Sequence, residues 1–178
     1  MKYVIASDIH GSKYYANLLN LAILRENADK VILLGDLYYH GPRNALPRDY
    51  DPMQVCEILN SMKEKTIATR GNCDAEVDIK ISDFEFKEFI QLDYYGKKIF
   101  LSHGQNYNIK NFPDCDFDIM IYGHKHTGFV KQVNDKIIIN CGSVSIPKDD
   151  TTNSYILIDN GVIYLKSLDG KVIQSVNV

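Results

Sequence analysis

Short apolar runs, mostly rich in valine, isoleucine and tyrosine, recur along the chain between polar stretches. They are Tyr3–Ala6, Val31–Leu34, Thr66–Thr69, Ile99–Leu101, Ile119–Tyr122, Ile137–Ile139, Tyr155–Ile158 and Val162–Leu165. Their shortness and β-branching predict strands. Between the first two, Ser12–Asn27 carries Ala16, Leu19 and Ile23, with Leu18, Leu21, Ala22 and Leu24 beside them, a broad apolar face of helical period. Asp51-Pro52 forms a cap and first-turn pair for a second helix ending near Lys63. The later strands are closely spaced, and Asn134-Asp135 and Asp159-Asn160-Gly161 read as hairpin turns. The order β-α-β-α-β followed mostly by strands predicts one mixed α/β domain over residues 1–178, with two sheets face to face and helices outside. The polar loop Tyr38–Asp51, with Pro42 and Pro47, is long enough to expect a function of it.

Composition sharpens this picture. A chain of 178 residues that is 45% hydrophobic suits one substantial core. No apolar stretch approaches the roughly 18–20 residues of a membrane span. The N-terminal run is broken by Asp8 and His10, which argues against a secretory signal. Cys56, Cys73, Cys115 and Cys141 are widely spaced with no CxxC pair, which argues against a zinc knuckle or a disulfide scaffold and fits a reducing cytoplasm. The net charge is −3 and no basic run stands out, so the sequence carries no signature of a nucleic-acid groove. Chemistry on phosphate esters would then need its positive charge from a bound cation.

The residues able to hold such a cation fall in a pattern. Asp8 and His10 follow the first strand, Asp36 the second, Asn72 the third, His103 the fourth, and His124 and His126 the fifth. Each lies next to a glycine or a tight turn, and ligands of α/β sheets bind beyond the carboxyl ends of strands. If these strands lie side by side, all seven side chains meet on one rim. A set of oxygen and imidazole ligands without thiolate suits manganese, iron, nickel, zinc or cobalt. Seven are too many for one ion and enough for two if one carboxylate bridges. An isolated aspartate after a strand is usually a cap or turn residue, but four of the chain's five histidines stand in these motifs and His40 follows closely on Asp36.

Taken together, Asp8-x-His10, Gly35-Asp36, Gly71-Asn72, His103-Gly104 and Gly123-His124-x-His126 resemble the calcineurin-like metallophosphoesterases. Within that family, residues 6–11, 40–47, 70–74 and 142–148 resemble the small bacterial phosphodiesterases of the YfcE type. The resemblance implies a four-layer α/β-β-α sandwich of two mixed β-sheets. It implies one metal held by Asp8, His10, Asp36 and His126, and another by Asp36, Asn72, His103 and His124, with Asp36 bridging. It implies Mn²⁺ as the first candidate ion, a hydroxide held between the two ions for in-line attack on phosphorus, and a small phosphodiester as substrate. Related small proteins often associate, so a homo-oligomer is expected as well.

In most of that superfamily a histidine follows the metal-binding asparagine, near the leaving group. Here Cys73 stands there, a weak donor, mainly protonated at neutral pH. His40, or Asp74 through water, is the candidate substitute acid, and Arg43 the candidate for phosphate oxygens. Lys125 lies between two ligands and should point away if that segment is extended. Weak acid assistance predicts a preference for diesters with good leaving groups. Two other readings stand beside this one: a protein-binding scaffold of the same fold, as in the retromer subunit Vps29, and a nucleotide-specific hydrolase or nuclease.

Overall fold

The structure is a computed structural model that describes all residues 1–178. The chain runs β1 (Tyr3–Ala6), α1 (Lys13–Glu26), β2 (Lys30–Leu33), α2 (Pro52–Asn60), β3 (Thr66–Thr69), α3 (Glu76–Ile81), β4 (Glu85–Lys87), β5 (Phe89–Tyr94) and β6 (Lys97–Ser102). It continues through β7 (Ile119–Tyr122), β8 (Phe129–Val133), β9 (Lys136–Asn140), β10 (Ser154–Asp159), β11 (Val162–Ser167) and β12 (Val172–Asn177). Local chemistry sets the helix ends. Ser12 caps α1 by accepting from the Tyr15 amide, and Asn27 closes it in the left-handed region, which asparagine tolerates. Asp51 caps α2 by accepting from the Gln54 amide, with Pro52 in the first turn. That helix stops at Asn60, short of the expected Lys63, and a single 3₁₀ turn follows.

One sheet has the order β12-β11-β10-β1-β2-β3-β4 and the other β5-β6-β7-β9-β8. Strands β1, β2, β3 and β4 are parallel, as are β6, β7 and β9. The expected hairpins join β8 to β9 and β10 to β11, with Asn134, Asn160 and Gly161 at positive φ. Period-two alternation divides the core. Val4, Ala6, Val31, Leu33, Tyr155 and Leu157 pack with α1 and α2. Their neighbours Ile5, Ile32, Leu34, Ile156 and Ile158 face Ile99, Leu101, Ile119, Ile121 and Ile139 of the second sheet. The outer face of that sheet, Phe100, Met120, Tyr122 and Ile138, packs with Phe117, Tyr107 and Ile109. The covering segment, residues 103–118, contains no helix, so the helical layer belongs to the first sheet.

Candidate metal centre

The ligand-bearing strands are not neighbours in one sheet, as the side-by-side condition supposed. β1, β2 and β3 belong to the first sheet, β6 and β7 to the second. The seven side chains meet where the carboxyl ends of the two parallel sets come together. Glycine makes this close approach feasible. A Cβ on Gly71 would sit 2.2 Å from Asp36 Oδ1, and one on Gly123 would sit 2.1 Å from Ser7 Oγ and 2.7 Å from Asp8 Oδ2. Five of the candidate ligands, Asp8, His10, Asp36, His124 and His126, have φ between 49° and 64°. Left-handed backbone costs a non-glycine residue about 1–2 kcal/mol. The fold supports that cost with hydrogen bonds around the turns. The Asp8 carbonyl accepts from Ser143 Oγ at 2.8 Å and Ser145 Oγ at 3.2 Å, and Asn140 Nδ2 donates to the Gly123 carbonyl at 2.6 Å.

The histidines are oriented from behind. His10 Nδ1 lies 2.7 Å from the Tyr39 carbonyl, His103 Nδ1 2.6 Å from that of Leu34, and His126 Nδ1 2.9 Å from that of Ile146. A carbonyl only accepts, so each Nδ1 carries the hydrogen and each neutral ring presents its Nε2 lone pair. Those lone pairs face other acceptors. His10 Nε2 and His126 Nε2 are 3.3 Å apart, and His126 Nε2 is 3.1 Å from Asp8 Oδ1. On the other side His103 Nε2 is 3.2 Å from His124 Nδ1 and 3.1 Å from Asn72 Oδ1. Asp8 Oδ2 accepts from the His124 amide, while Oδ1, fully buried, has no hydrogen-bond donor.

Acceptors packed against acceptors at these distances ask for a cation. Ligand atoms ~2.1 Å from one ion stand roughly 3.0–3.4 Å apart. Three compact clusters of possible ligands are present: Asp8, His10 and His126; Asp36, His103 and His124; and His10, Asp36 and Cys73. The ligand atoms of the first stand 3.1–3.4 Å apart. The first two clusters share no residue, and Asp36 lies between them. Its Oδ1 accepts from the Cys73 amide at 2.7 Å, while Oδ2 lies 3.7 Å from His10 Nε2 and 3.3 Å from His103 Nε2. The donor set therefore fits two divalent ions. The buried carboxylates favour positive charge at these rings, whether a proton or a metal ion supplies it. Burial pulls the His103 pKa down, but the adjacent Asp36 and the charge of Asp8 win and raise it to about 9. Burial opposes ionisation of Asp8, yet the histidines beside it hold its carboxyl well below the usual range.

These residues open onto a cleft of about 760 Å³. Asn72, Cys73, Asp74 and Arg43 line it together with His10, Asp36, His124, His126 and Tyr39, whereas His40 is absent from its walls. The His40 ring packs edge-on against Tyr39 and Tyr50 instead. Asp74 is buried and accepts from three backbone amides, those of Asp36, Leu37 and Gly71. Burial raises its pKa while those amides counter, and its two oxygens are engaged in holding the Asp36 turn. Burial, aided by the Asp36 charge, pushes the Cys73 thiol up to about 12. Two charged cleft residues were not among the sequence candidates, Lys125 and Lys148. The expectation for Lys125 fails because its segment is not extended: His124 and His126 are both left-handed, which removes the strict alternation. Lys148 is carried beside His126, whose carbonyl accepts from its amide at 2.9 Å. Both are lone lysines outside any basic run, so only the fold reveals their company.

Comparison with known proteins agrees with this geometry. Residues 1–161 match the calcineurin-like phosphoesterase superfamily domain. Phosphodiesterase YfcE of Escherichia coli is 38% identical over 175 residues, spanning 97% of this chain and 95% of that one. The solved structure of the E. coli YfcE phosphoesterase superposes with a TM-score of 0.95, each chain covered to 99% at 38% identity. Vps29 of Entamoeba histolytica complexed with zinc shares the fold, with a TM-score of 0.63, 21% identity and 99% of each chain covered. With a family domain spanning most of its length and a near relative matched almost end to end, the chain belongs to the calcineurin-like phosphoesterase superfamily.

Proposed function

We propose that this protein is a cytoplasmic phosphodiesterase that acts on small phosphodiesters with two divalent ions, Mn²⁺ first among them. The observation that carries the reading is Asp36 Oδ2, poised between the two ligand groups, 3.7 Å from His10 Nε2 and 3.3 Å from His103 Nε2. When bound, such an ion pair supplies an activated water and positive charge at the phosphoryl oxygens. The chain's own residues would do the rest. Arg43, on the cleft wall, presents a planar fork suited to phosphate oxygens. Asn72 turns its Oδ1 toward His103 and completes the second ligand group. Asp74 and His40 act as positioning residues, the first fixing the Asp36 turn and the second packing against Tyr39.

Cys73 touches the substrate side as a protonated thiol, not as a nucleophile, in keeping with its raised pKa of about 12. No histidine outside the ligand set lines the cleft, so a leaving alkoxide receives little help from an acid. Diesters with good leaving groups are therefore the substrates of choice. The complete ligand set favours hydrolysis over a scaffold role. The test is to strip the protein with chelator and assay bis(p-nitrophenyl) phosphate beside p-nitrophenyl phosphate, with and without Mn²⁺. Activity should return with the ion, favour the diester and be absent in Asp36→Asn. Equal turnover of the two esters would refute the diester preference, and inactivity with every divalent ion would point to a scaffold.

A further inference from the structure

The cleft carries more positive charge than a simple phosphodiester needs. Arg43, Lys125 and Lys148 all line it, from three separate segments. None of the three has a carboxylate partner within ion-pair distance. The cations of the neighbouring groove behave differently: Arg70 pairs with Glu76 at 2.8 Å and Lys87 with Glu85 at 3.5 Å. The only carboxylates on the cleft wall are Asp36 and Asp74. The first belongs to the ligand set, and the second is enclosed by three amides. Asp149 and Asp150, exposed and close after Lys148 in the chain, form no ion pair with it, and Asp149 accepts from Thr127 Oγ1 at 2.6 Å.

Two divalent ions would outweigh the charges of Asp8 and Asp36 by two, and a hydroxide held between them would leave one, which the single negative charge of a diester already balances. Arg43, Lys125 and Lys148 are exposed, so solvent screens their mutual repulsion, but the positive potential they add to the cleft is matched only by a substrate that brings more negative charge. The backbones that carry the lysines are fixed: the Lys125 amide donates to the Gly123 carbonyl at 2.7 Å, and the Lys148 amide to that of His126 at 2.9 Å. The cleft, about 760 Å³, is also large enough for a nucleotide-sized molecule.

We propose that Arg43, Lys125 and Lys148 form an anion subsite that recognises a second phosphate group, so that the substrate class is a phosphodiester bearing a further phosphate. This rests on the phosphodiesterase reading and narrows it. A phosphate monoester carries close to two charges and three acceptor oxygens, which suits one planar guanidinium and two ammonium groups.

The probes are the p-nitrophenyl ester of thymidine 5′-phosphate and its analogue that also bears a 3′-phosphate. The 3′-phosphate should lower KM about tenfold, as expected for a few charge-assisted hydrogen bonds, and the gain should shrink with added salt. Lys125→Ala/Lys148→Ala should abolish the gain, and Lys125→Arg/Lys148→Arg should restore most of it. Lys131→Ala, on β8 beyond the cleft, should leave it intact. Equal KM values for the two esters in the unaltered protein would overturn the subsite. Should neither ester be hydrolysed with any divalent ion, the phosphodiesterase reading fails. Calorimetric binding of thymidine 3′,5′-bisphosphate against thymidine 5′-phosphate then decides the subsite by itself. Tighter bisphosphate binding, lost in the lysine double variant, supports it, and equal affinities overturn it.

Discussion

Asp36 gives its two carboxylate oxygens different tasks. Oδ1 is fixed by the Cys73 amide, which leaves Oδ2 facing both ligand groups. Because that amide belongs to the backbone, Cys73→Ser should retain both metal ions and most of the activity; loss of an ion would place the thiol among the ligands. In the metal-free protein, iodoacetamide near neutral pH should label the exposed Cys115 well ahead of Cys73, whose pKa is raised to about 12. Peptide mass spectrometry reads the order, and the reverse order would contradict the shift. Gly123→Ala is the sharpest steric probe, because its Cβ would collide with Ser7 and Asp8. Metal affinity should fall by at least tenfold, as for other disruptions behind the ligands, and unchanged binding on titration would show that the turn yields. The seven candidate ligands were picked out in sequence because each is polar, at a strand end and beside a glycine or a turn, and the fold brings their side chains together. Lys125 and Lys148 were not, since their position depends on left-handed turns that no alternation rule encodes.

At the scale of elements, the end of α1 is tied to the first sheet by a small polar cluster. Glu26 accepts from Tyr155 Oη at 2.5 Å on β10 and from Lys166 Nζ at 2.6 Å on β11. Burial opposes the charge of Glu26, but Lys166 and Tyr155 outweigh it and its pKa lies below the ordinary value. A carboxyl depressed in the folded state stabilises the protein above its unfolded pKa, about 4.3. That contribution is lost as pH falls through the depressed folded value. Glu26→Gln should therefore cost about 1–3 kcal/mol at neutral pH, and the difference from the unaltered protein should shrink as pH falls below the unfolded value of about 4.3. Denaturant unfolding across that window measures it, and a difference independent of pH would show that the charge is not what binds the helix. The same scale shows which strands a pattern can announce. β1, β2 and β10 alternate between two buried faces and were clear. β12 is exposed at nearly every position and β8 is nowhere fully buried; Val176 of β12 and Phe129, Val130 and Val133 of β8 pack only partly buried, so their apolar pattern is weak and ladder bonds to β11 and β9 place them. The short helix α3 has no buried residue and begins where Asp78 accepts from the Ala75 amide.

For the whole molecule, the central feature is that two packed sheets each bring part of one candidate metal site. The pattern of elements gave two sheets and one core, but not the division into seven and five strands, which depends on long-range pairings such as β1 with β10. A centre built across that seam should also brace it: chelator should lower the melting temperature, and Mn²⁺ in excess of its Kd should restore it by mass action. An unchanged melting temperature would mean that the ligands are held apart from the ions' influence. The most direct test of the shared carboxylate is a count of metal per chain, by mass spectrometry of protein dialysed against Mn²⁺. Two ions are expected in the unaltered protein, about one in His126→Ala and close to none in Asp36→Ala, because both ions depend on that carboxylate. A single ion in the unaltered protein, or full occupancy in Asp36→Ala, would contradict the bridging role.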